Sequence, residues 1–216
     1  MAQVIESPVS EWTAADVVER FGAIPLWRIR SVPAPGTATE EDVVAVEDRE
    51  DRLCELVDGI LVEKVMGAYE SYLAMFLGRL LGDFVAEHDL GVILGEAGML
   101  RLAPGLVRIP DVAFLSWQRF PGRRISRESV WGLAPDVAIE IISKSNTPKE
   151  MSGKLVEYFT AGAQQVWYVY PDTCEVRVYA APDACTTFAA PQTLVATGPL
   201  AGFQLDLRAL FAEPAS

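Results

Sequence analysis

The stretch DVAIEIISKSN, residues 136 to 146, constrains this chain more than any other. It is an apolar run with β-branched residues at every second or third position, which predicts a buried strand. Yet it carries a carboxylate, Glu140, in its middle. A lone charge in a buried strand is strongly unfavourable unless it is paired or bound to a metal. A fold for this chain must therefore bring a partner to Glu140.

A second strand starts in the same way. IPDVAF holds Asp111, and APDVAI holds Asp136 and runs on to Glu140. On a strand, Asp136, Ala138, Glu140 and Ile142 share one face. If the two strands are neighbours, Asp111 and Glu140 converge. Two carboxylates at one spot repel each other and lose hydration, and a divalent cation relieves both. Mg²⁺ takes hard oxygen ligands, commonly one or two carboxylates plus waters and phosphate oxygens. The alternative is an exposed edge position for Glu140, or an ion pair with Arg108.

The helix after the Glu140 strand is marked by NTPKEMSGKLVEYFTAG. Thr147 is an N-cap, Pro148 takes the first helical position and Glu150 completes a capping box. Lys154 flanks the apolar stripe of Met151, Leu155, Tyr158 and Phe159. It can snorkel to solvent, or it can reach back toward the carboxylates, where a cation would orient a water and stabilise charge on a phosphate.

Upstream, YESYLAMFLGRLLGDFVAEH, residues 69 to 88, has helical spacing throughout. Projected backwards, its stripe includes Glu70. That residue is either a third site carboxylate or a first-turn Glu favoured by the helix dipole. Residues 12 to 22 predict a short helix capped by Thr13 and stopped by Gly22. The Pro-rich, acidic segment from Val32 to Asp51 reads as a loop or irregular arm. Residues 52 to 65 read as two strands around Asp58–Gly59. Strands follow at GVILGE, GMLRLA and PDVAFLSW. QVWYVYPDTCEVRVYA is a hairpin turning at Pro171 to Thr173, and GFQLDLRALF adds a last strand and turn. This order predicts an α/β domain with a mixed central sheet flanked by helices. Residues 1–50 form an N-terminal helix and acidic arm, and residues 51–216 the main domain.

Composition narrows the chemistry. The single histidine, His88, sits at a helix end, and one histidine excludes a multi-histidine zinc site. The cysteines, Cys54, Cys174 and Cys185, lack metal-ligand spacing and read as reduced thiols of a cytoplasmic protein. The N-terminus shows no signal-peptide pattern, and no apolar run is long enough to span a bilayer. P-loop, dinucleotide-binding glycine and nucleophile-elbow motifs are absent. A formal net charge of -12 disfavours a simple nucleic-acid binder. Residues 101 to 160, however, hold 9 basic and 6 acidic side chains, so the segment containing Glu140 is the positive one.

VRIPDVAFLSW, followed by PDVAIEIISKSNTPKEMSGKLVEYFTAGAQQVWYVYPDTCEVRVY, resembles the Uma-type putative restriction endonuclease family, a branch of the PD-(D/E)XK nuclease superfamily. The resemblance runs from about ELVDGILVE to Tyr179 and falls on Asp111, Glu140, Ser143, Ser145 and Lys154. It implies a restriction-endonuclease-like fold and a Mg²⁺- or Mn²⁺-dependent endonuclease acting on DNA. In that reading Asp111 and Glu140 hold the metal with help from the carbonyl of Ile141, and Lys154 positions the attacking water. Glu70 supports the site or a second metal. The superfamily's usual lysine would fall on Ile142, so the resemblance assigns its role to Lys154. Glu150 reads first as a helix cap. The loop QRFPGRRISR, with Arg119, Arg123, Arg124 and Arg127, is either a phosphate-binding segment or a solvated loop. A homodimer is expected through the hairpin 166–180 and the N-terminal arm. The alternative, favoured by the acidic balance, is a non-catalytic nuclease-fold binding or assembly module.

Overall fold

In the computed structural model, which describes residues 12–212, the two Pro-Asp segments become neighbours. The N-terminal segment read for a signal peptide lies almost wholly outside these residues. The elements run α1 (Ala14–Phe21), α2 (Glu40–Glu50), β1 (Cys54–Val57), β2 (Ile60–Glu63), α3 (Ala68–Glu87), β3 (Gly91–Leu94), β4 (Met99–Ala103), β5 (Leu106–Arg108) and β6 (Val112–Ser116). They continue β7 (Val130–Trp131), β8 (Val137–Ile141), α4 (Pro148–Thr160), β9 (Gln165–Tyr170), β10 (Glu175–Ala181), β11 (Ala184–Ala189), β12 (Thr193–Val195), β13 (Gln204–Asp206) and α5 (Leu207–Leu210).

The mixed central sheet has six strands in the order β11-β10-β9-β8-β6-β3. Only β8 and β9 pair in parallel, with α4 as their crossover. Alternation along β8 separates its two faces. Val137, Ile139 and Ile141 pack with Leu73, Leu77 and Leu81 of α3. Ala138 packs with Met151, Leu155 and Tyr158 of α4. Glu140 therefore points to the α4 side. Strand β9 lies inside the sheet, so the outer strand of this region is β11.

A second sheet, β2-β1-β5-β4-β7, stands beside the first, and β12 and β13 form a small third one. The β1–β2 turn has positive φ at both Asp58 (51°) and Gly59 (75°), which suits a two-residue hairpin. A Cβ on Gly59 would come within 2.5 Å of the Gly36 backbone, so only glycine fits there. On β1, Cys54 and Leu56 join the cluster under α2. Val57, on the opposite face, packs with Val17 and Phe21 of α1. Glu55 shares that second face.

The segment read as an irregular arm is helical in its second half. Thr39 caps α2 and forms a capping box with Asp42, while Val43 and Val46 bury against the second sheet. Helix α1 has the expected Thr13 cap and Gly22 stop, and Asp16 completes a capping box. Among the described residues no helix is long and apolar enough to cross a membrane.

Candidate active site

The antiparallel pairing of β6 with β8 carries Asp111 to Glu140. The Asp111 amide donates to the Ile139 carbonyl (3.0 Å), which extends the ladder one residue before β6. Its Oδ2 accepts from the Ile141 amide at 2.6 Å, beside Glu140. Both carboxylates are 5% exposed.

Lys154, one turn inside α4 from the capping box, reaches back as one of its two sequence readings expects. Its Nζ lies 3.2 Å from Glu140 Oε1 and 3.3 Å from Oε2. The hydroxyl of Tyr158, one turn further along α4, donates to Glu140 Oε1 at 2.7 Å. Lys154 also lies 3.0 Å from Glu55 Oε1. Glu55 in turn pairs with Arg108 at 2.7 Å and accepts from the Ile109 amide at 3.1 Å. Arg108 goes on to Glu157, and Glu157 to Arg20 of α1. Alternating charges thus run from α1 through the interior to Glu140. The partner of Glu140 is Lys154, while Arg108 serves Glu55 and Glu157.

The electrostatics follow from this order. Burial pushes the Glu140 carboxyl up. Lys154 pulls it down, Asp111 and Glu55 push it up again, and it stands at about 6. Burial alone would raise Glu55 too, but Lys154 and Arg108 outweigh it and hold Glu55 well below the usual carboxylate range. Burial disfavours charge on Lys154, yet Glu140 and Glu55 prevail and keep it an ammonium ion.

A second lysine completes the site. Lys64, just after β2, places Nζ 2.8 Å from Asp111 Oδ1 and 2.6 Å from the Ile109 carbonyl. Sequence reasoning missed both Lys64 and Glu55. Glu55 carries the same signal as Glu140, a carboxylate inside an apolar strand, in CELV. Lys64 ends the hairpin LVDGILVEK, where a lysine reads as solvated.

Other expected residues are placed elsewhere. Glu70 folds over Gly67 at the start of α3, at the edge of a cavity lined by Lys64, and shares no hydrogen bond with Asp111, Glu140 or Lys154. Glu150 caps α4 through Thr147 and forms a buried pair with Arg28 at 2.8 Å. The arginine loop leaves the end of β6 opposite Asp111, about 16 Å away along the strand. Arg119 ties Asp136 to the Gly162 carbonyl. Arg123 pairs with Asp89 and stacks 4.5 Å over Trp117. Arg124 and Arg127 are exposed, with no ion pair among the described residues.

The donor set suits a hard divalent ion. Among the described residues no three His, Cys, Asp or Glu side chains converge as a metal site. The Asp111–Glu140 pair, with the Ile141 backbone alongside, is the number of carboxylates that Mg²⁺ commonly uses. Burial is the largest cause of the raised Glu140 carboxyl, and the smaller repulsion from Asp111 is what a bound cation would relieve.

Two buried carboxylates thus meet on paired strands of a mixed α/β fold, and a lysine of the next helix lies against one of them. Residues 40–208 match the Uma2 family model, described as "putative restriction endonuclease", and the chain belongs to that family. Its structure is similar to the crystal structure of a putative nuclease of DUF820 from Anabaena variabilis. The two share 22% identity, and the match covers 74% of this chain and 90% of that one with a TM-score of 0.65. At that identity the likeness shows the fold. No curated protein matches the chain.

Proposed function

We propose that the protein is a metal-dependent endonuclease that hydrolyses DNA phosphodiester bonds. The observation that carries this reading is the convergence of Asp111, Glu140 and Lys154 from two paired strands and the helix that follows them. Asp111 and Glu140, with the Ile141 carbonyl, would hold Mg²⁺ or Mn²⁺. When bound, the ion would activate water and polarise the scissile phosphate. Lys154 stays protonated and orients the water as a cation, not as a base. Tyr158 fixes the Glu140 carboxylate through one oxygen. Glu70 would act from the cavity edge, through water or on a second ion.

Arg124 and Arg127 would hold phosphates flanking the scissile one. Sixteen ångströms of duplex carry roughly nine phosphate charges, so contacts at that distance are compatible with one bound DNA. All four loop arginines would contribute to this end of the interface, Arg119 and Arg123 by bracing the loop. Assembly as a homodimer belongs to the same proposal, with β11 and the N-terminal arm as its surfaces.

Plasmid nicking with Mg²⁺ or Mn²⁺ tests the reading, with E140Q under matched folding controls. Metal-dependent nicking by the wild type, lost in the folded variant, is the expected result.

One observation favours a second reading, a non-catalytic binding or assembly module. Every oxygen of Asp111 and Glu140 already holds a donor from the chain itself. In that case neither protein nicks DNA, and E140Q alters stability alone.

A further inference from the structure

The two lysines of the site are held differently. Lys154 Nζ sits among Glu55 and both oxygens of Glu140, at 4% side-chain exposure, deep in the alternating-charge chain. Lys64 Nζ has one carboxylate oxygen, Asp111 Oδ1, and one carbonyl, Ile109. An ammonium carries three donors, so one remains for another acceptor.

Lys64 also has somewhere to go. It lines a cavity of about 240 Å³ together with Ser71 and Glu96. A second cavity, of about 430 Å³, lies along α3, reaches Asp111 and is lined by the same Ser71 and Glu96. Lys64 thus borders one cavity and Asp111 the other, with Ser71 and Glu96 common to both. The flexible four-carbon stem of Lys64 lets the ammonium swing into that space with its charge retained.

A carboxylate oxygen and a backbone carbonyl around one positive centre are the ligands a hard cation takes. Lys64 occupies that place at Asp111 Oδ1. We propose that Lys64 is the resident counter-ion of Asp111, displaced by the divalent ion, and that the displaced ammonium becomes the catalytic cation that meets the scissile phosphate. No covalent bond changes in the exchange: Asp111 trades one cation for another, and the ammonium keeps its proton. This rests on the nuclease reading above and adds to it a second lysine, paired with Asp111.

Competition for one carboxylate makes the two halves of the proposal oppose each other. Removing the Lys64 charge should strengthen metal binding and weaken catalysis. A lysine that only neutralises Asp111 would give the first effect without the second.

The experiment compares wild type with K64M by calorimetric titration of Mn²⁺ into DNA-free protein, then by nicking at saturating Mn²⁺. The expected result is Mn²⁺ binding about tenfold tighter in the variant, within the usual range for coupled sites. Nicking should fall by about a hundredfold, as when one charge-stabilising donor is lost. Folding is checked by circular dichroism, and K64Q carries the same test if K64M does not fold. Unchanged or weaker Mn²⁺ binding, or undiminished nicking, in a variant of a wild type that binds and cleaves would overturn the proposal and leave the nuclease reading standing. A wild type that neither binds Mn²⁺ nor nicks DNA would remove both.

Discussion

Glu55 and Glu140, carried by strands of different sheets, share one ammonium. Lys154 Nζ is 3.0 Å from the first and 3.2 Å from the second. Helix α4 thereby links the second sheet to the central one at the candidate site. All three side chains are buried, so each charge depends on the others. Breaking a buried pair from one side leaves an uncompensated charge. E55Q removes the one carboxylate that Lys154 and Arg108 share. It should cost about 3–5 kcal/mol in urea denaturation. A loss below about 1 kcal/mol would show that the chain of charges is dispensable.

The pH dependence of Glu140 has a definite sign. Its folded carboxyl titrates near 6, above an ordinary value of 4.5. The native state therefore keeps a proton that the unfolded chain releases, and this contribution to stability is lost as pH rises from 4.5 to 6. Glu55 acts in the opposite sense, since its contribution is present above its ordinary pKa and lost as pH falls below it. E140Q removes the first effect and leaves the Glu55 carboxylate paired with Lys154 and Arg108. Without metal, the stability of wild type relative to E140Q should fall by about 2 kcal/mol between roughly pH 4 and pH 7. Denaturation of both proteins across that range measures it.

The N-terminal segment is fastened to α4 by a buried pair. Arg28 and Glu150 are both nearly inaccessible, and Arg28 also donates to the carbonyls of Glu63 and Ser145. R28M should therefore cost about 3–5 kcal/mol. R52M, at the exposed Arg52–Glu63 pair, should cost no more than about 1 kcal/mol. Thermal unfolding of the two variants side by side gives the comparison.

The arginine loop divides into two roles. R124E and R127E should leave stability within about 0.5 kcal/mol and reduce the salt slope of DNA binding by about 1 per lost phosphate contact. R119M should instead destabilise the fold, because Arg119 holds Asp136, which is buried. Fluorescence anisotropy with labelled duplex at several salt concentrations separates the two.

Much of this architecture is legible in the sequence where periodicity is strong. The α3 and α4 stripes, the Asp58–Gly59 hairpin and the two Pro-Asp strands all lie where their patterns place them. Helix α2 escapes because it is polar on most sides and buries only Val43 and Val46. The short strands β5 and β7 are too brief to show a period. At the site, Asp111, Glu140 and Lys154 can be found because adjacent strands and the next helix bring them together. Glu55 and Lys64 cannot be found that way. Their place depends on β1 pairing with β5, more than 40 residues away, and no local spacing encodes that contact.

The proposed activity depends on Asp111 and Glu140 together holding a divalent ion. Titration of Mn²⁺ into wild type, D111N and E140Q, each shown to be folded, tests it most directly. The expected result is saturable binding by the wild type and a loss of at least about tenfold in affinity in each variant. Wild-type affinity retained in both folded variants would contradict it.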